Sequence, residues 1–165
     1  MPARGPLVMA ANHESVLDPF VLAVAVERQL HYLGKAELWR CRPLVPIFDA
    51  VGAIPVTRDA GDEGAIASAL EVLERGEAIG IFPQGSVRRV GWRRGVARLA
   101  LAAGAPIVPA RIIGTDAALS RGRIGFPQIV VLIGEPIPVD RCEPTAELAT
   151  ELTARLQAAV EALGI

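Results

Sequence analysis

The chain is poor in the residues that most often carry metal or disulfide chemistry. Its 165 residues include two cysteines and two histidines, and Cys41 and Cys142 stand alone without metal-ligand spacing. This scarcity argues against a dedicated zinc site. It favours reduced, inert thiols over a single disulfide. We therefore expect neither a metal nor a bound cofactor.

Strong net charge and long hydrophobic runs are also missing. The formal net charge is -1, so no overall field favours a nucleic-acid partner. Charged residues or prolines interrupt every apolar run well short of the ~20 residues that a membrane-spanning helix needs. The N-terminus lacks a charged region followed by an apolar signal stretch. We expect a cytoplasmic protein that can also lie peripherally on the inner face of the cell membrane.

Aliphatic residues are abundant, and they are arranged in alternating strand-like and helix-like segments. Apolar residues make up 52% of the chain and aromatic residues only 4%. No linker or repeat divides the chain, which predicts a single domain over residues 1–165. Strand–helix alternation predicts an α/β fold with a largely parallel sheet. The predicted strands are Leu7–Ala11, His31–Gly34, Ala53–Val56, Ala78–Phe82, Ile107–Ile113 and Ile129–Ile133. The predicted helices cover about 19–29, 43–50, 62–75, 94–103 and 144–163.

A histidine and an aspartate lie five positions apart where the first strand gives way to the first helix. His13 follows the strand, and Asp18-Pro19 is typical of a helix start, where Ser15 or Asp18 can serve as the cap. A carboxylate that curls back to one imidazole nitrogen fixes the tautomer and leaves the other nitrogen free as a base. The alternative interpretation is an ordinary helix entry with no catalytic role.

Two polar loops follow other predicted strands. They cover Pro83 to Arg94 and Thr57 to Asp62. If the strands run parallel, these loops lie at the same sheet edge as His13, where ligands of open α/β sheets bind. The sequence therefore predicts one site at one edge.

Four ordered sequence blocks give the chain its family resemblance. They are Asn12-His13 through Asp18, Gly52-Ala-Ile-Pro-Val-Thr-Arg58, Phe82-Pro-Gln-Gly-Ser86 and Ile107-Val-Pro-Ala-Arg-Ile112. In this order they resemble the glycerolipid acyltransferases typified by lysophosphatidic acid acyltransferase. The resemblance implies a single-domain αβα sandwich around a mostly parallel mixed sheet.

The resemblance also implies a reaction and its catalytic pair. His13 is expected to be the general base and Asp18 the residue that orients it. Ser15 and Ser86 lack the Gly-x-Ser-x-Gly elbow of a serine nucleophile, so we expect direct attack of a substrate hydroxyl on a thioester. Backbone amides near Gly85 are candidates for stabilising the tetrahedral oxyanion.

The expected substrates are an acyl donor and a lipid acceptor. The donor would be acyl-CoA or acyl carrier protein, and the acceptor a lysophospholipid, with lysophosphatidic acid the favoured choice. An arginine fork matches phosphate oxygens, so Arg58 is the first candidate for the acceptor phosphate. The predicted substrate-binding residues are Arg58, Lys35, Gln84, Gly85, Ser86 and Arg89.

Two departures from the family pattern bear on the acceptor. Gln84 stands where the third block usually has glutamate, and Val87 stands where arginine often follows. Three other functions stay open. They are a lipid-binding module with little turnover, a thioester hydrolase, and an acyltransferase for an acceptor other than lysophosphatidic acid.

Arginines cluster around Val90-Gly91-Trp92. The cluster comprises Arg88, Arg89, Arg93 and Arg94. It is either an ordinary solvated face or a contact for coenzyme A phosphates, acyl carrier protein or anionic lipid heads. Trp92 is either an interface anchor or an aromatic that covers the core.

Overall fold

The computed structural model describes residues 1–56, 61–85, 91–120 and 123–164. Eight strands and six α-helices are assigned within these ranges. The strands are β1 Leu7–Ala11, β2 Leu30–Lys35, β3 Ala53–Val56, β4 Ala78–Ile81, β5 Ile107–Ile113, β6 Leu119–Ser120, β7 Arg123–Ile124 and β8 Val130–Ile133. The helices are α1 Asp18–Ala25, α2 Val45–Ala50, α3 Gly61–Glu74, α4 Gly95–Ala103, α5 Thr115–Ala118 and α6 Ala146–Glu161, with 3-10 segments at Ala36–Arg40 and Arg42–Leu44.

Six strands form one mixed sheet in the order β3-β2-β4-β1-β5-β8. The first five run parallel, and only β8 runs antiparallel, against β5. Every residue of β1 is buried. This is what a central parallel strand with both faces covered requires, and it explains the unbroken apolar run. The parallel order brings the carboxyl ends of β1 to β5 to a single edge.

Helices cover both faces of the sheet. On one face, α3, α4 and α6 pack over alternate strand residues such as Val8, Ile79 and Ile107. On the other, α1 buries Leu22 against Met9 and Val108. This arrangement confirms the predicted α/β fold with helices on both sides of a mostly parallel sheet.

The observed elements differ from the predicted ones mainly at helix ends. The first helix stops at Ala25 rather than near residue 29, because Val26 is extended (φ -112, ψ 140). The segment predicted as helix 43–50 is helical only from Val45, after a short 3-10 turn. The β6–β7 hairpin and α5 were not predicted, since two-residue strands and a four-residue helix carry no usable periodicity.

Candidate active site

The carboxylate of Asp18 is the buried centre of the site. Its Oδ2 lies 2.8 Å from His13 Nδ1 and accepts the backbone amides of Glu14 (2.7 Å) and Ser15 (2.8 Å). Its Oδ1 accepts the Thr115 hydroxyl at 2.5 Å. The side chain of Asp18 is 0% exposed, whereas that of His13 is 17% exposed. A fixed anion therefore lies behind a histidine that substrate can reach.

Asp18 remains charged in spite of its burial. Burial by itself raises the pKa of the carboxyl, because a charge is less stable away from water. The hydrogen bonds from His13, Thr115 and the two amides outweigh that effect and hold the pKa of Asp18 below its usual value. The anion therefore fixes Nδ1 of His13 as a donor and leaves Nε2 free.

This geometry corrects the predicted helix cap. Asp18 is the first residue of α1, and no side chain caps that helix. The carboxylate turns back into the preceding turn instead of covering the free amides of the helix. The hydroxyl of Ser15 accepts the amide of Leu17 at 3.3 Å, which closes the turn.

Two aromatic rings from neighbouring parts of the sheet support His13. The Phe82 ring stacks on the His13 imidazole with centroids 4.4 Å apart and planes at 23°. Tyr32 lies behind Phe82, at 6.2 Å and 11°. Gly80 makes room for Tyr32, because a Cβ at that position would come within 2.4 Å of the tyrosine ring. The orientation of the imidazole is thus fixed by an edge contact to Asp18 and a face contact to Phe82.

Asn12 connects the start of the loop after β1 to the neighbouring strand β5. Its Oδ1 accepts the amide of Ile112 at 2.7 Å, and its Nδ2 donates to the carbonyl of Ile112 at 2.8 Å. The side chain thereby continues the β1–β5 ladder one residue beyond Ala11. The asparagine in the first block is explained by this role.

Gln84 contacts the backbone of His13, and Gly85 follows it in the same turn. Gln84 Oε1 accepts the backbone amide of His13 at 2.5 Å. The amide of Gly85 donates to the carbonyl of Phe82 at 2.9 Å, with φ at 68°. The N–H of Gly85 is therefore committed within its own turn. An oxyanion donor from this loop would have to be a different amide.

Of the remaining predicted binding residues, only Lys35 lies in the described part of the chain. Lys35 is the last residue of β2, at the same edge as His13 and two strands from β1. Two strand spacings correspond to about 10 Å. Arg58, Ser86 and Arg89 lie outside the described residues, although Arg58 comes two residues after β3, which ends at this edge.

A groove opens beside the catalytic edge. It has a volume of about 720 Å³ and lies between α3, α4 and the start of α6. Phe82 and Gly85 line it, and Phe82 also stacks on the imidazole of His13, so the groove lies next to the residue that supports the histidine. Its other lining residues are apolar side chains and arginines, among them Leu33, Ile66, Ile81, Trp92, Arg93, Arg94, Val96, Arg98 and Leu99.

Trp92 is a core-covering residue. It is half-buried and packs against the cluster formed by α3, α4 and α6. Of the two interpretations that the sequence left open, the structure supports the aromatic that covers the core.

Three contacts of the site were not predicted from the sequence. They are the contact of Thr115 with Asp18, the contact of Asn12 with β5, and the approach of Arg93 to Gly85. Thr115 is 97 positions from Asp18, and a lone Gly-Thr after a strand carries no signal of such a contact. Arg93 reaches the site because its amide donates to the carbonyl of Pro83 at 3.0 Å. Only the fold brings these residues together.

No metal site or membrane-spanning element is found in the part of the chain that the structure describes. Those residues contain no group of three or more His, Cys, Asp or Glu side chains able to hold a metal ion. None of their helices is long and apolar enough to cross a membrane. Cys41 and Cys142 are both free and exposed.

The fold and the site together define a class of protein. A histidine held by a buried carboxylate at the carboxyl edge of a parallel sheet, next to an apolar groove, is suited to activating a hydroxyl near a lipid-like substrate. A sequence model described as Acyltransferase matches residues 1–113, a range that includes every predicted site residue.

Two named relatives agree with that match. The chain is 30% identical over 140 residues to 1-acyl-sn-glycerol-3-phosphate acyltransferase of Bacillus subtilis, covering 83% of this chain and 69% of that protein. It is 27% identical over 122 residues to the enzyme of the same name from Borreliella burgdorferi, covering 70% of this chain and 49% of that protein. The chain belongs to the acyltransferase family. It spans about half the length of the second relative.

A solved structure shows the same fold. The crystal structure of the 1-acyl-sn-glycerophosphate (LPA) acyltransferase, PlsC, from Thermotoga maritima superposes with a TM-score of 0.76. The match covers 98% of this chain and 68% of that one, at 22% sequence identity. The predicted glycerolipid acyltransferase fold is thereby confirmed.

Proposed function

We propose that the protein transfers a fatty acyl group from acyl-CoA or acyl carrier protein to the hydroxyl of a lysophospholipid, with lysophosphatidic acid the favoured acceptor. The observation that carries the proposal is the His13–Asp18 pair, in which a buried anion fixes Nδ1 and leaves Nε2 accessible. The relatives named 1-acyl-sn-glycerol-3-phosphate acyltransferase support the choice of acceptor.

The reaction follows from this pair. Nε2 of His13 removes the proton from the acceptor hydroxyl as its oxygen attacks the thioester carbonyl. The tetrahedral oxyanion then collapses, the carbon–sulfur bond breaks, and the thiolate takes the proton back from the imidazolium. An ester and a free thiol are the products. Asp18 stabilises the imidazolium while it exists, and general-base catalysis of this kind contributes about 10²- to 10⁴-fold in rate.

The groove beside Phe82 suits the acyl donor. Its floor is formed by aliphatic side chains such as Leu33, Ile66 and Ile81. An acyl chain laid on this floor would leave water, which is favourable by about 25 cal/mol for each Å² of apolar surface buried. The opening past Phe82 and Gly85 would then present the thioester carbonyl to His13.

We assign the acceptor phosphate to Lys35, the last residue of β2, and to Arg58, which comes two positions after β3 in the sequence. Lys35 ends β2, two strand spacings or about 10 Å from the end of β1. Arg58 follows β3, one strand further on. Arg58→Ala should therefore raise the KM for lysophosphatidic acid far more than the KM for acyl-CoA.

A turnover assay tests the proposal directly. Purified protein is incubated with acyl-CoA and a panel of lysolipid acceptors, and the release of free thiol is compared with the formation of diacyl product. We expect acceptor-dependent release that His13→Ala abolishes while the fold, followed by circular dichroism, is unchanged. Thiol release without acylated lipid would instead indicate a thioester hydrolase. Binding of lipid without release would indicate a lipid-binding module.

Peripheral membrane association also belongs to this proposal, because the product and the acceptor are lipids. Flotation with anionic liposomes at low and high salt tests it, since an electrostatic contact weakens with ionic strength. Binding that resists high salt would assign it to apolar contacts and not to the arginine cluster.

A further inference from the structure

Three arginines line the groove beside the active site, and none pairs with an acidic side chain in the part of the chain that the structure describes. Arg93, Arg94 and Arg98 are exposed on the segment that leads into α4 and on its first turn. Among the side chains that the structure describes, no carboxylate lies at salt-bridge distance from any of them, and no Asp or Glu is found in the lining of the groove. Exposed arginines on the wall of a groove with an apolar floor are a suitable binding place for anionic groups.

The arginines extend from the catalytic edge outward. The side chain of Arg93 passes Gly85, with its Cδ 3.7 Å from where a Cβ on that glycine would lie. Gly85 follows Gln84, which holds the amide of His13. Arg94 and Arg98 are one helical turn apart, about 6 Å along α4. The positive charge therefore begins beside the turn that contains Gly85 and continues along the groove wall.

We infer that Arg93, Arg94 and Arg98 bind the phosphate groups of the pantetheine carrier of the acyl donor. This inference rests on the proposed acyl transfer. Three guanidinium groups spread over more than a helical turn exceed what the single phosphate of a lysolipid can engage. They match the several phosphates of coenzyme A, or the phosphodiester and acidic surface of acyl carrier protein. The groove floor would take the acyl chain, and its arginine wall the carrier.

A series of donors with decreasing phosphate content tests the inference. Initial rates are measured with acyl-CoA, with its analogue lacking the 3′-phosphate, and with acyl-pantetheine, which has no phosphate. The protein should show a KM for acyl-pantetheine at least about tenfold above that for acyl-CoA, the scale of one charge-assisted hydrogen bond. The triple variant Arg93→Gln/Arg94→Gln/Arg98→Gln should lose most of this difference and leave the KM for the lysolipid unchanged. Arg155→Gln, an exposed arginine on α6, is the matched control.

A second arm distinguishes the two carriers. If acyl carrier protein is the donor, the triple variant should impair acyl carrier protein more than acyl-CoA, because the protein surface adds further contacts. Equal KM values for acyl-CoA and acyl-pantetheine, with no effect of the substitutions on acyl carrier protein, would overturn the inference. So would a triple variant that raises the KM for the lysolipid and not for the donor.

Binding without turnover separates this inference from the proposed function. Calorimetric titration with free coenzyme A requires no catalysis. Tight binding by the parent protein that the triple variant weakens at least about tenfold would support the phosphate site even if no acyl transfer were detected. Acyl transfer that proceeds with unaltered coenzyme A binding in the triple variant would preserve the proposed function and overturn the arginine site.

Discussion

The hydroxyl of Thr115 donates to Oδ1 of Asp18 across 97 positions of sequence, at 2.5 Å, and both side chains are 0% exposed. Thr115 begins α5, directly after the strand that pairs with β1. The contact therefore connects the ends of two neighbouring strands through the carboxylate. It also gives a hydrogen-bond donor to Oδ1, the carboxylate oxygen that His13 does not contact. Thr115 is a positioning residue, because it acts on the histidine only through Asp18.

Removing this hydroxyl should weaken both the fold and the catalysis. Thr115→Val keeps the shape but leaves Oδ1 without its donor, so the pKa of Asp18 should rise and the carboxylate should become less firmly oriented. We expect a loss of about 1.5–3 kcal/mol in the free energy of unfolding, the scale of a hydrogen bond to a charged group. We expect kcat/KM to fall by about tenfold.

Thr115→Ser is the matched control, because it restores the donor. It should recover most of the activity and most of the stability. The acid midpoint of unfolding should move to higher pH in the valine variant and return in the serine variant. A valine variant with an unshifted acid midpoint would show that Thr115 only fills space.

The lowered pKa of Asp18 predicts a specific pH dependence of stability. A carboxyl whose pKa is below its unfolded value of 3.8 stabilises the fold fully above that value and loses its contribution as the pH falls through the folded-state pKa. Asp18→Asn should therefore be less stable than the parent at neutral pH, and the gap should narrow only below pH 3.8. Urea unfolding over that range measures the gap. A gap that stays constant into acid would mean that the charge of Asp18 does not stabilise the fold.

The sequence could predict the sheet and the catalytic pair because both depend on local patterns. Buried parallel strands appear in the sequence as short apolar runs. His13 and Asp18 are close in sequence, because both lie in the short segment from the end of β1 to the start of α1. The sequence allows Asp18 either to orient the histidine or to cap the helix. In the structure it orients the histidine, and its position is fixed by Thr115 and by the two backbone amides that donate to the carboxylate. The ring stack depends on the pairing of three strands, which no local pattern contains.

Tyr32 offers a test of the ring stack. Its hydroxyl is buried and has no hydrogen-bond partner among the described residues, and burial raises its pKa. Leaving a buried polar group unpaired costs about 1–3 kcal/mol. Tyr32→Phe should therefore be neutral or stabilise the protein by about 1 kcal/mol, with activity unchanged, because the ring behind Phe82 is retained.

Tyr32→Leu is the contrasting variant. It removes the ring that supports Phe82 and should lower both stability and kcat. Thermal unfolding and initial rates for the two variants decide the matter. A phenylalanine variant that lost activity would show that the hydroxyl has a role in the reaction and that the stack alone is insufficient.

Gln84 is the position at which the third block departs from the family pattern, and its contact suggests what the side chain does. Its Oε1 accepts the amide of His13 at 2.5 Å, so its role is to hold the loop that carries the base. A glutamate keeps that acceptor oxygen. Gln84→Glu should therefore leave the ranking of lysolipid acceptors unchanged, whereas Gln84→Leu should lower kcat about tenfold for all acceptors alike, because the amide loses its partner. The measurement is kcat/KM for several lysolipids with each variant. A shift in acceptor preference of ~1 kcal/mol or more in the glutamate variant would assign Gln84 to the acceptor pocket, since that is the scale of a hydrogen bond gained or lost at a head group.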